Sequence, residues 1–144
     1  MPILNVKVSS ARGGTVSSKT IARRLTEITA QTLRKKPELT AVAIDRVDPQ
    51  DWIIAGETLV EHGKASFFLE IKIVDGTNTK DEKAQYIAEV FDAMGELLGE
   101  LHPESYIHVQ DVRAEAYGFG GLTQEYRYIK DKEPAISERR AMKN

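Results

Sequence analysis

The chain has 144 residues, 41% hydrophobic and 29% charged, with 20 basic against 22 acidic side chains and a net charge of −2. That length suffices for one domain with its own core, and the near balance of charge argues against a nucleic-acid binder, which carries a basic face. Zero cysteines excludes disulfides, thiolate metal sites and cysteine nucleophiles together. No apolar run approaches the roughly 20 residues of a membrane helix, and no basic-then-apolar leader opens the chain. A cytoplasmic location is expected.

Residues 2–8, Pro-Ile-Leu-Asn-Val-Lys-Val, read as a short strand whose first residue, Pro2, stands directly behind Met1. If Met1 is trimmed, as a small second residue allows, the chain starts with a secondary amine held by a strand. Desolvation would lower that amine's pKa from about 7.7–8.0 towards neutrality, making it a usable general base. The plainer alternative is a proline at a strand's first position, without chemistry.

Residues 9–18 are rich in Ser and Gly and form a loop carrying one charge, Arg12. Ser17 or Ser18 offers an N-cap. Ile21, Leu25 and Ile28, with Ala22 and Leu33 beside them, recur at helical spacing up to Lys36, and Pro37 ends the helix. Cations at Arg34, Lys35 and Lys36 suit that helix's C-terminus, while Arg139 and Arg140 fall in a polar tail. Residues 40–47 predict a second strand, Asp48-Pro49 breaks it, and Trp52-Ile53-Ile54-Ala55-Gly56 follows; residues 57–64 read as a polar link.

Residues 66–74 are the clearest strand, with Phe67, Leu69, Ile71 and Ile73 facing one way and Glu70 and Lys72 the other. After the turn Asp75-Gly76-Thr77-Asn78, Thr79 with Glu82 is a capping-box signature. Ile87, Val90, Phe91, Met94, Leu97 and Leu98 form the apolar stripe of a second long helix, which Gly99 stops. Residues 105–112 are the fourth strand, and Tyr117-Gly118-Phe119-Gly120-Gly121 is a glycine-rich turn.

The order strand-helix-strand, link, strand-helix-strand, with an aromatic-to-glycine turn closing each half, is an internal duplication. The fold class is therefore α+β: two tandem β-α-β units, each right-handed, forming a four-stranded sheet with two helices on one face. Residues 1–128 are expected to form a single domain, with pseudo-repeats at about 2–56 and 66–121, and residues 129–144 a C-terminal tail. On the other sheet face stand Asn5, Lys7, Glu70, Lys72, Tyr106, His108 and Gln110. That face is either solvated or lines a subunit interface or a site.

The start Pro2-Ile3, the two β-α-β halves and the aromatic-Gly-x-Gly-Gly turn together resemble the tautomerase superfamily, in its 4-oxalocrotonate tautomerase-like form with two fused halves. Asp75-Gly76-Thr77-Asn78-Thr79-Lys80-Asp81-Glu82-Lys83 resembles the family's Glu-Gly-Arg-Thr-x-Glu-Gln-Lys segment, and residues 102–121 its second strand and hairpin. The first half matches at residues 2–8, 37–47 and 52–56. The resemblance implies a tautomerase/MIF-like fold, a homotrimer whose sites are shared across interfaces, and an isomerase acting on a small enol or unsaturated keto acid.

Carried over by residue, Pro2 would be the catalytic base and acid. Arg12 stands where the family binds a substrate carboxylate, although Gly13 and Gly14 lengthen the loop behind it. The strand arginine of the family is replaced by Ala43 and His108, and Thr77 replaces the arginine of the second half. His108 and Lys72 are then the other candidate polar groups, and Trp52, Tyr117 and Phe119 the aromatic wall. The second half offers no free amine, so one active site per chain is expected.

Related chemistry, dehalogenation or hydration, would need acidic groups to activate water, which none of these positions supplies. The competing class is a non-catalytic small-ligand-binding or interaction protein on the same trimeric scaffold, decided by whether Met1 is retained. A generic RNA-binding β-α-β module lacks its aromatic strand motif here. No cofactor motif is present, and three histidines without His-x-x-x-His spacing argue against a metal. The expected partner is the small-molecule substrate, with neither nucleic acid nor membrane.

Overall fold

The computed structural model describes residues 2–12 and 16–130. Met1 and residues 131–144 of the expected tail lie outside them. The chain divides into two compact units, one comprising residues up to 73 with 78–110, the other residues 74–77 with those from 111 onward.

The first unit carries β1 (Ile3–Ser10), α1 (Ser18–Leu33), β2 (Ala41–Arg46), the short pair β3 (Ile53–Ile54) and β4 (Glu57–Thr58), α2 (Leu59–His62), β5 (Ala65–Val74), α3 (Lys80–Leu98) and β6 (Tyr106–Val112). Four of these strands form one mixed sheet in the order β2-β1-β5-β6. β1 lies parallel to β2, with Ile3 beside Ala41 and Asn5 beside Ala43. It is antiparallel to β5, with Leu4 opposite Ile71 and Asn5 opposite Glu70.

Strict alternation explains the two faces. Leu4, Val6, Leu69 and Ile71 have no exposed surface and pack with Ile21, Leu25, Val90 and Met94 of α1 and α3. Asn5, Lys7, Tyr106 and His108 are exposed on the other face, with Glu70 and Lys72 partly so. A register slip of one residue would exchange these sets, so the apolar pattern holds the pairing.

Ser17 accepts from the Thr20 amide and starts α1, and Thr79 and Glu82 form the full capping box of α3. α1 stops at Leu33 rather than at Lys36, because Arg34 adopts a left-handed conformation (φ 58°) and Pro37 opens a separate short turn over Pro37–Leu39. The expected stripe of α3 is also rotated. Ile87 is 40% exposed, while Tyr86 is fully buried. Its hydroxyl lies 2.8 Å from Thr29 Oγ1, which itself donates to the Leu25 carbonyl. A buried phenol needs such a partner, and the neighbouring helix supplies it.

The link expected at 57–64 is structured. Thr58 and Glu61 form a capping box, Leu59 is fully buried, and Gly63 closes the turn at φ 65°. His62 Nε2 donates to the Ile54 carbonyl at 2.9 Å, since a carbonyl can only accept. That bond ties α2 to the β3–β4 hairpin.

The second unit holds β7 (Gly118–Phe119) and β8 (Leu122–Thr123), an antiparallel hairpin, followed by helical residues 124–130. Gly120 and Gly121 both have positive φ, the two-residue turn that suits hairpin twist. The bonding repeats that of the first half. Leu59 N donates to the Trp52 carbonyl and Gln124 N to the Tyr117 carbonyl.

Candidate active site

Pro2 heads β1, a strand flanked on both sides, and it is buried. Its carbonyl accepts from Ala41 N at 3.1 Å. The antiparallel register, carried two residues past Leu4–Ile71, sets Pro2 opposite Ile73, a residue only 2% exposed. β1 thus presents its first residue in an apolar surrounding, the setting that depresses an amine's pKa once the amine is free.

Lys72 lies next along β5 on the open face and forms an ion pair with Glu70, which is opposite Asn5. The Lys72 ammonium, by hydrogen bond first and by charge as well, holds the Glu70 carboxyl below the usual carboxylate range, and His108 adds to it through its charge. Lys72, Glu70 and His108 therefore form one polar cluster on the sheet. Lys72 spends its ammonium on Glu70 rather than standing free as a lone cation.

Arg12 and Trp52 occupy the other end of the sheet. Ala11 N donates to the Lys64 carbonyl at 3.2 Å, Ser10 is opposite Ala65, and Arg12 itself is exposed. Trp52 borders a shallow recess of about 480 Å³ with Lys7, Val47, Asp51, Ile53 and Phe68. The eight residues of β1, at about 3.3 Å each, span roughly 25 Å. One chain consequently does not bring Arg12 or Trp52 to Pro2. The cause is the extended run of β1, which carries the loop after it away from Pro2, and the parallel course of β2, whose end leads Val47 to the Val8 carbonyl and the chain on to Trp52.

Tyr117 and Phe119 belong to the second unit. Tyr117 is half-buried, and Phe119 carries the Arg127 guanidinium on its ring, with 3.5 Å between Cζ and the ring centroid. Arg127 Nε also donates to the Phe119 carbonyl at 3.2 Å. Arg127 is not among the residues expected from the sequence. Its distance of eight residues from Phe119, matching His62 to Ile54, is the signal that finds it.

Among the described residues no group of three or more His, Cys, Asp or Glu could hold a metal ion, and no helix is long and apolar enough to cross a membrane.

A duplicated β-α-β protein, its sheet led by a buried proline and each half closed by a small hairpin, is the class that fold and site define. The family description "Tautomerase enzyme" matches residues 68–126. The curated protein "Probable tautomerase K2" of Dickeya dadantii (strain 3937) is 31% identical over 61 residues, covering 42% of this chain and 91% of that one. The chain belongs to the tautomerase family. Solved structures share its fold, two of them as follows. The "Q0 fused 4-OT wild type symmetric trimer" superposes with a TM-score of 0.71 at 22% identity, covering 85% of this chain and 96% of that chain. "Pt0534 inactivated by 2-oxo-3-pentynoate" gives 0.72 at 13% identity, covering 87% and 98%.

Proposed function

We propose that the chain is a cofactor-independent isomerase in which Pro2, exposed as a secondary amine by loss of Met1, moves a proton between carbon and oxygen of a small enol or unsaturated keto acid. The observation that carries this reading is the burial of Pro2 at the head of a central strand of a tautomerase-family sheet. A desolvated secondary amine takes a proton alpha to a carbonyl near neutral pH and returns it at the neighbouring position. Polar donors that hold the developing enolate oxygen lower the barrier further. The second half has no equivalent amine, because β5 is internal to the chain and its counterpart residues are buried. One site per chain follows.

The separation of Arg12 and Trp52 from Pro2 supports an assembly in which a neighbouring copy completes the site. The fused relative that superposes with this chain is described as a symmetric trimer, and a homotrimer is the assembly proposed here. The site is taken to function in the cytoplasm, on a soluble small acid.

Ketonisation of phenylenolpyruvate or 2-hydroxymuconate by protein of verified intact mass tests the reading. Chains lacking Met1 should be active, and Pro2→Ala should lose about 10²- to 10⁴-fold, the usual worth of a positioned general base. 2-Oxo-3-pentynoate provides an independent readout, since its conjugated alkyne accepts an amine nucleophile. It should add once per chain, on the peptide that begins with Pro2. Full activity in the Pro2→Ala variant would sink the mechanism.

A further inference from the structure

The open sheet face around the head of β1 is nearly without charge. On the β5 side, the antiparallel register carried one residue past Leu4–Ile71 sets Lys72 opposite Ile3, and Glu70 lies opposite Asn5. On the β2 side Ile3 stands beside Ala41 and Asn5 beside Ala43. Ile3, Ala41 and Ala43 are exposed. The surface next to Pro2 is therefore small and apolar, with the neutral amide of Asn5 beyond it. The next cation along β1 is Lys7, roughly 16 Å from Pro2 along an extended strand, which a six-carbon acid does not span.

Lys72 is thus the cation that a ligand reaching along this face from Pro2 would meet, and Glu70 holds it. Residues two apart on a strand share a face, and the Lys72 ammonium donates to Glu70 Oε1 with both side chains partly exposed. The same hydrogen bond, with the charges of Lys72 and His108, keeps the Glu70 carboxyl below the usual carboxylate range. Glu70 is consequently an anion at neutral pH and stays with its partner. A second carboxylate arriving here would have to share the ammonium and stand close to a like charge. A neutral, apolar tail meets neither obstacle and covers Ile3, Ala41 and Ala43 instead.

We propose that Glu70, by occupying Lys72, makes the Pro2 site selective for monocarboxylic acids with a neutral tail and excludes dicarboxylic ones. The proposal rests on the preceding functional reading for placing the acid at Pro2, and its test does not require turnover. Glu70 acts through Lys72, so it determines specificity and is not a catalytic residue.

The probes are hexa-2,4-dienoate and hexa-2,4-dienedioate, which share a carbon chain and differ by one carboxylate. Neither is an enol, so neither is turned over. They are titrated calorimetrically into full-length protein freed of Met1, at neutral pH. The wild type should bind the monoacid more tightly. Glu70→Gln keeps a hydrogen-bond acceptor beside Lys72 but frees its charge. It should tighten the diacid by roughly 10- to 100-fold, as expected for a charge-assisted bond, and leave the monoacid unchanged. Adding Lys72→Met to Glu70→Gln should abolish that gain. Unchanged diacid affinity in Glu70→Gln overturns the proposal. So does an equal gain for both acids, a gain that survives Lys72→Met, or a wild type that binds neither acid or shows no preference for the monoacid. Circular dichroism on each variant confirms folding. Turnover of phenylenolpyruvate tests the enzyme reading separately. Absent turnover with a Glu70-dependent preference for the monoacid would remove that reading and leave the selectivity standing.

Discussion

Tyr86 shows how much a single side chain can depend on its surroundings. Burial pushes its phenol up to about 12, with the Thr29 hydroxyl partly offsetting the rise. A folded-state value above the unfolded value of about 10 means that the unfolded chain ionises first. The contribution is fully present below pH 10 and is lost as pH rises from about 10 to 12, a loss of up to about 3 kcal/mol. Urea melts across that range should show the alkaline decline in wild type and a shallower one in Tyr86→Phe. Near pH 7 the substitution should cost only about 1 kcal/mol, because Thr29 keeps its bond to the Leu25 carbonyl. At Glu70 the direction is reversed. Its carboxyl is held low by Lys72, so that contribution is present above the unfolded carboxylate range and fades as pH falls through the folded value.

At the level of elements, the two hairpins invite a direct comparison. Their turns have the same backbone shape, but the first places Ala55 at φ 53° where the second has Gly120. An L-residue with a Cβ in the left-handed region costs roughly 1–2 kcal/mol. Ala55→Gly should therefore raise thermal stability by about 1 kcal/mol once the greater freedom of glycine in the unfolded chain is counted. A lower melting temperature would show that the methyl group packs against something of value. At the start of α3, Thr79→Ala removes the side chain that accepts from the Glu82 amide at 3.1 Å. It should cost about 1 kcal/mol, measured by denaturant midpoint with an unchanged slope. This cap was legible in the sequence as Thr-x-x-Glu. The same signature at Thr58 and Glu61 stood in plain view but fell inside a stretch read as a link, since a four-residue helix has too few positions to show a period.

For the whole molecule, the separation of the candidate residues Pro2 and Arg12 by the length of β1 bears on assembly. Size-exclusion chromatography with light scattering should give three times the 16.1 kDa chain mass. If Arg12 acts on the Pro2 of another copy, then Pro2→Ala and Arg12→Ala chains, each impaired alone, should regain part of the activity when unfolded and refolded together. Mixed trimers would contain some sites with both residues intact. Full activity of Arg12→Ala by itself would instead release Arg12 from the site.

Short-range order determined much of this protein. Alternation along residues 66–74, the 3.6-residue period through Ile21, Leu25 and Ile28, and the paired aromatic-to-glycine turns were sufficient for two β-α-β halves and for the faces of the sheet. Each is a local constraint of backbone geometry, readable wherever side chains recur with the period of their element. The strand that follows Pro2 and buries it was legible too, from the alternation of residues 3–8. What the tertiary structure decided was distance. Register and strand direction placed Arg12 and Trp52 at the far end of β1, coupled Lys72 to Glu70, and turned Tyr86 rather than Ile87 into the core. Arg127 came to rest on Phe119 by the same route, since the closing of a hairpin joins residues whose relation no periodicity records.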